Sequence, residues 1–137
     1  MLRSEALDRL ASAEYAHLAT ITPQGEPHIV AVTFVVVGDT LATMVDHKLK
    51  TTQRLQRVVN VERNPKASLL VDHYSDDWST LWWVRVDGPA TVHYDDEYWQ
   101  KAGDALVAKY AQYTEDRPEG PAIRLAIERV SSWESTP

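Results

Sequence analysis

The chain has no cysteine. Disulfides, thiolate metal sites, iron–sulfur clusters and cysteine nucleophiles are all excluded, and the fold must hold by packing alone. No apolar run approaches the roughly 20 residues that span a bilayer as a helix. The opening MLRSEALDRLASAEY carries acids and has no long apolar centre, so it does not read as a secretory signal. A cytoplasmic protein is the expectation, and the lack of cysteine suits a reducing compartment. Neither common glycine-rich phosphate loop occurs, nor a Gly-x-Ser-x-Gly elbow, nor a His-x-x-Glu-His pair. Covalent nucleophilic catalysis therefore has no support, and an enzyme built from this chain would take its chemistry from a cofactor.

What is present is an ordinary globular composition. The 137 residues are 44% hydrophobic and 25% charged, which is enough for one domain over residues 1–137. The net charge of -6 disfavours general nucleic-acid binding, which needs a basic surface. Yet six of the 14 basic residues fall between Lys48 and Lys66. An acidic chain with one basic stretch points to a small anionic ligand, or to a solvated helix face.

The order of elements is legible from periodicity. A first helix is expected from Ser4, as its cap, to Ala13, with Leu7, Leu10 and Ala11 on one face. His17–Thr22 reads as a strand, Pro23–Glu26 as a turn and His28–Val37 as a long strand, so the pair forms a hairpin. Gly38-Asp39 turns the chain into a third strand, Thr40–Val45. Thr51 or Thr52 is expected to cap a helix running to Arg63, stopped by Asn64-Pro65. Strands follow at Lys66–Asp72 and Leu81–Val86, the latter bounded by Asp87-Gly88-Pro89 and continuing at Ala90–His93 after a bend. Asp95 is expected to cap a helix to Tyr110, and Ile123–Val130 is the last strand. The sum is a mainly β chain: about six antiparallel strands in a barrel, with three helices at its margins.

Three constellations carry chemistry. Lys48-Leu49-Lys50-Thr51-Thr52 stands where a strand ends and a helix starts. Free N–H groups, lysine charge and threonine hydroxyls there are a recipe for a phosphate, with Arg57 a second cation on the same helix. Plain capping with solvated lysines is the alternative. Trp82 and Trp83 are adjacent on a strand and so point to opposite sides: one packs into a core, the other faces an interface or a planar ligand. Of the five histidines, none has paired metal-ligand spacing, and His73 among Asp72, Asp76 and Asp77 reads as a solvated loop. No metal is expected. His28 opens the long strand and is the one weak candidate to hydrogen bond a substrate or supply a proton, against simple strand-end packing.

The ordered segments His17-Leu-Ala-Thr-Ile-Thr-Pro-Gln-Gly-Glu-Pro-His28, Lys48–Thr52, Leu55–Asn60 with Asn64-Pro65, and Trp82-Trp-Val-Arg-Val-Asp-Gly88 resemble the flavin/deazaflavin oxidoreductase superfamily, which includes pyridoxamine 5′-phosphate oxidase. Asp72–Trp83 is similar to an actinobacterial branch that uses coenzyme F420. The resemblance implies an FMN-binding split β-barrel, a homodimer and cofactors bound between subunits. It implies that Lys50, Thr51 and Thr52 hold the cofactor phosphate, with Lys48 and Arg57 assisting, and that Trp82 or Trp83 approaches the ring from the partner. Where many relatives carry proline and tryptophan or an arginine, this chain reads Ile29–Phe34, so backbone groups of Val30, Ala31, Val32 and Thr33 are expected to serve the ring edge. The implied activity is hydride transfer between reduced F420 and a small conjugated electrophile. The other readings are an FMN oxidoreductase, a non-catalytic cofactor carrier, and a haem-binding split barrel.

Overall fold

A computed structural model describes residues 1–47 and 55–136. The elements are α1 (Arg3–Ser12), β1 (Ala16–Ile21), β2 (Pro27–Val32), β3 (Val35–Val37), β4 (Thr40–Met44), α2 (Gln56–Arg63), β5 (Lys66–His73), β6 (Trp82–His93), α3 (Glu97–Lys109), β7 (Ala122–Ala126) and β8 (Arg129–Glu134). Every strand pairing is antiparallel. The order is β2-β1-β5-β6-β7-β4-β3, with β8 also on β6. The two ends of that path, β2 and β3, are consecutive in the chain and separated only by Thr33 and Phe34. The sheet must therefore curl until its ends nearly meet, leaving a seam with no ladder of hydrogen bonds. That is a split barrel.

The interior follows the pleat. Ala16, Leu18 and Thr20 of β1, Val32 of β2, Ala67, Leu69 and Val71 of β5, and Val84 and Val86 of β6 all point inward and are buried. Ala6 and Leu10 of α1 and Val58 and Val61 of α2 join the same core. A second core lies outside the barrel. Ala102 and Leu106 of α3 pack on Val35, Ala42, Met44 and Ala122, which is why all five residues of β4 are buried. Among the described residues no helix is long and apolar enough to cross a membrane.

Among the described residues the strands number eight, against the six expected. The expected strand His28–Val37 breaks at Thr33-Phe34, and nothing local marks the break: the segment is β-branched throughout. Its cause is tertiary. Phe34 is fully buried, and its backbone is satisfied by side chains from the end of α3 instead of a strand. Its N–H donates to the Tyr110 hydroxyl at 3.2 Å, and its carbonyl accepts from Lys109 Nζ at 3.0 Å. The expected last strand also splits, at Ile127-Glu128, where the Ile127 N–H turns to the Asp39 carbonyl. Conversely, β6 runs unbroken through Gly88-Pro89, pairing first with β5 and β8 and then with β7. Gly88 permits this, because a Cβ there would collide with the Ala126 carbonyl oxygen.

Helix starts also differ from expectation. The cap position of α1 is Leu2, not Ser4; Leu2 N–H donates to the Glu5 carboxylate at 3.4 Å. Helix α2 begins at Gln56 behind Leu55, so neither Thr51 nor Thr52 is its cap. Asp96 caps α3, its carboxylate accepting from Trp99 N–H at 2.8 Å, while Asp95 sits at φ 50 in the turn before it. The Gly38 turn forms as expected, at φ 61.

Candidate functional site

Buried polar contacts fix α2 to the barrel wall. Asn60 is fully buried, and its amide donates to Thr20 Oγ1 of β1 at 3.0 Å and accepts from Gln56 Nε2 at 2.7 Å. Asn64 Nδ2 reaches the Ile21 and Thr22 carbonyls at the end of β1. A buried amide with its partners made is costly to move, because displacement strands its donors. Arg57, three residues before Asn60, is carried by this anchored helix to the mouth of the seam between the barrel's two edges.

There it lines a groove of about 340 Å³ with Tyr15, Ala31, Val32, Thr33, Asp46 and Tyr113. Burial lowers the Arg57 pKa from its ordinary value, with Asp46 opposing that shift; the guanidinium stays charged all the same. Among the described residues it makes no ion pair. Tyr113 Oη lies 2.7 Å from Thr33 Oγ1 and donates to Asp46 Oδ1 at 3.1 Å. Burial raises the Tyr113 pKa, the Thr33 contact opposing and Asp46 adding to the rise, so the phenol keeps its proton at neutral pH. Strand β2 is an edge strand, so alternate residues turn N–H and C=O groups away from β1 into the open.

The structure brings together part of the predicted set. Ala31, Val32, Thr33 and Arg57 line one groove. Val30 does not join them: its side chain packs half-buried against the barrel core. His28 points to the same inner side, opposite Thr20, and its Nδ1 is buried without a partner. It stands five residues from Thr33, about 17 Å along a strand, so it is not in the groove. Trp82 faces the core side, under Arg9 at 5.1 Å. Trp83 faces the outer side beside Arg85 at 5.8 Å and opposite Trp133. Both tryptophans border a separate cavity of about 390 Å³ with Leu70, Tyr74 and Trp133, and neither reaches the Arg57 groove of its own chain. Lys48, Lys50, Thr51 and Thr52 lie outside the described residues. No cluster of metal-binding side chains occurs among the described residues. Sequence reasoning missed Tyr15, Asp46 and Tyr113. The pair Tyr110 and Tyr113, three apart at the end of a helical pattern, was the available signal.

A split barrel with an anion-ready cleft at its seam narrows the family, and the sequence profile of pyridoxamine 5′-phosphate oxidase matches residues 2–134. The chain belongs to that family. Solved structures agree on the fold. A conserved hypothetical protein of Mycobacterium tuberculosis superposes with a TM-score of 0.77 at 26% identity, over 98% of this chain and 85% of that one. A haem-binding protein of Mycobacterium smegmatis gives 0.75 at 22% over 96% of this chain, which spans only 53% of that protein. An FAD-binding protein of Mesorhizobium loti gives 0.72 at 19%, over 96% and 92% of the two chains. No curated protein matches the sequence significantly. The same fold thus occurs in a haem-binding and in an FAD-binding protein.

Proposed function

We propose that this family member is an oxidoreductase that uses coenzyme F420, with FMN the alternative occupant of the same groove. The observation that carries the reading is Arg57: a half-buried cation, without an ion pair among the described residues, beside the open edge of β2. An anionic, planar, hydrogen-bonding group fits those features. The guanidinium meets negative charge, free backbone groups of Ala31–Thr33 meet a ring edge, and Tyr15 and Tyr113 offer apolar ring faces. Lys50, Thr51 and Thr52, with Lys48, complete a phosphate clamp in this proposal. The acidic glutamyl tail of a deazaflavin gives the surplus cations of that stretch a use.

The chemistry such a cofactor supplies is hydride transfer to a conjugated electrophilic carbon. The work of this chain is to bind, orient and exclude water. Arg57 fixes the charged end. Thr33 and Asp46 hold the Tyr113 hydroxyl in one orientation, with its single proton directed at Asp46 Oδ1 on the groove wall. This replaces His28 as the proton-bearing candidate. In the proposed assembly, one domain of residues 1–137 pairs with a second copy across the bare outer sheet face, and Trp83 of that copy approaches the groove. Haem is the weaker reading for this groove, since no histidine lines it among the described residues; His73 borders the tryptophan cavity instead.

The test is a parallel titration of the purified protein with F420 and FMN, following tryptophan quenching. Micromolar binding of F420 with weaker FMN binding supports the reading. Lys50→Ala and Arg57→Ala should each cost about 1–3 kcal/mol of affinity, as loss of a charged hydrogen bond does. Preference for FMN moves the protein to the flavin alternative. Binding of neither, or turnover of no acceptor once F420 is bound, removes the oxidoreductase assignment.

A further inference from the structure

A larger cavity, of about 670 Å³, opens beside the groove between the end of α1 and the end of α3. The two share Tyr15, Thr33 and Tyr113 as a common wall. What distinguishes the larger one is Lys109. Its ammonium stands 4.0 Å from the centroid of the Phe34 ring and 5.2 Å from that of Tyr110. It donates to the Phe34 carbonyl at 3.0 Å, which uses one of three N–H donors. It forms no ion pair among the described residues. A lysine in the last turn of a helix suits the helix dipole, but a solvated one serves that end equally. Here the charge is held between two rings on a cavity wall, and burial lowers its pKa.

We propose that this cavity binds a planar carboxylate, with Lys109 as the anchor of the carboxylate and Tyr15 and Tyr110 as walls for the ring system. That the ligand is the hydride acceptor rests on the cofactor reading above, because it is the shared Tyr15–Thr33–Tyr113 wall that would set one ligand beside the other. One acid, Glu14, also lines the cavity. Its side chain is exposed, where solvent screens it, whereas the Lys109 charge works in a medium of lower dielectric. The cation therefore sets the sign of the site. The remaining lining, Ala11, Ser12, Ala13 and Gln112, adds no charge.

The test uses 2-naphthoate and its neutral counterpart 2-naphthamide as probes, measured by titration calorimetry on the full chain with and without saturating F420. Naphthoate should bind about tenfold tighter than naphthamide, as one added charged hydrogen bond gives. Lys109→Met should erase that ratio and Lys109→Arg keep most of it. Tyr15→Ala, at an exposed position that does not hold the fold, should weaken both probes alike and leave the ratio intact. Glu14→Gln should tighten naphthoate slightly. Equal binding of the two probes by the wild type overturns the proposal, as does a ratio that survives in a folded Lys109→Met protein. Displacement of naphthoate by F420 also overturns it, since the cavity would then belong to the cofactor. If naphthoate binds with the expected ratio but neither F420 nor FMN binds, the cofactor reading has failed, and the acceptor assignment falls with it.

Discussion

The two outer faces of the barrel have different fates. The face of β3, β4 and β7 is covered by α3, so β4 is buried on both sides and Ala42, Met44 and Ala122 meet Ala102 and Leu106. Among the described residues, nothing covers the outer face of β2, β1, β5, β6 and β8. There Ile29 is 65% and Trp133 46% exposed, with Ala31, Leu70 and Trp83 on the same side by register. Both faces carry apolar side chains; among the described residues only one finds its partner in cis. Monomer stability should reside on the covered face, and the proposed assembly on the bare one.

Removing the covered face's central contact has the largest expected effect. Leu106→Ala should lower unfolding free energy by about 2–5 kcal/mol in urea titration. A loss under 1 kcal/mol would mean that α3 is an accessory and that the comparison is drawn in the wrong place. Asn60→Ala comes next. It leaves the Thr20 hydroxyl short of a partner in a buried site, costing about 1–3 kcal/mol. Because Asn60 anchors the helix that carries Arg57, affinity for the proposed cofactor should fall with it. Stability lost with affinity intact would detach Arg57 from the site. Ile29→Lys should hardly change unfolding of a monomer, by about 0.5 kcal/mol at most. In sedimentation equilibrium the same change should separate subunits, if the bare face is where two copies meet. An unaltered dimer moves the interface elsewhere.

How much of this was readable in the sequence divides along the same line. Periods of two and the Gly38 turn are local, and they located β1, β4 and β5 to within a residue or two. The break at Thr33-Phe34 is not local. It exists because Tyr110 and Lys109, some 75 residues later, satisfy the Phe34 backbone, and no propensity at Thr33 announces that. The passage of β6 through Gly88-Pro89 was misread for the opposite reason. Glycine and proline normally punctuate a strand, but here they let one strand serve two sets of neighbours. At the site, the cation Arg57 was visible from its spacing, while the strand Val30–Thr33 came from the family resemblance. Tyr113 and Asp46 were not visible, since they come from separate parts of the chain and meet only at the seam.

The bare face has one polar end, and it gives the smallest effect. Asp87 accepts from Ser68 Oγ and from Arg85 Nε at 3.2 Å, with Arg129 at 3.5 Å. Burial pushes its carboxyl pKa up, but the Ser68 and Arg85 hydrogen bonds and the Arg85 and Arg129 charges outweigh it, so the net shift is below the ordinary value. A carboxyl held low in the folded state binds fewer protons there than in the unfolded chain. Its contribution to stability is therefore complete above the unfolded value of about 3.9 and disappears as pH falls through the folded one. The wild type should exceed Asp87→Asn in urea midpoint at pH 7, and the gap should begin to narrow below about pH 5 and shrink further as the pH falls. A gap independent of pH would assign Asp87 a packing role. A gap that also vanishes at high salt would show this end of the face to be held by screened charge alone, leaving the hydrogen bond from Ser68 without weight.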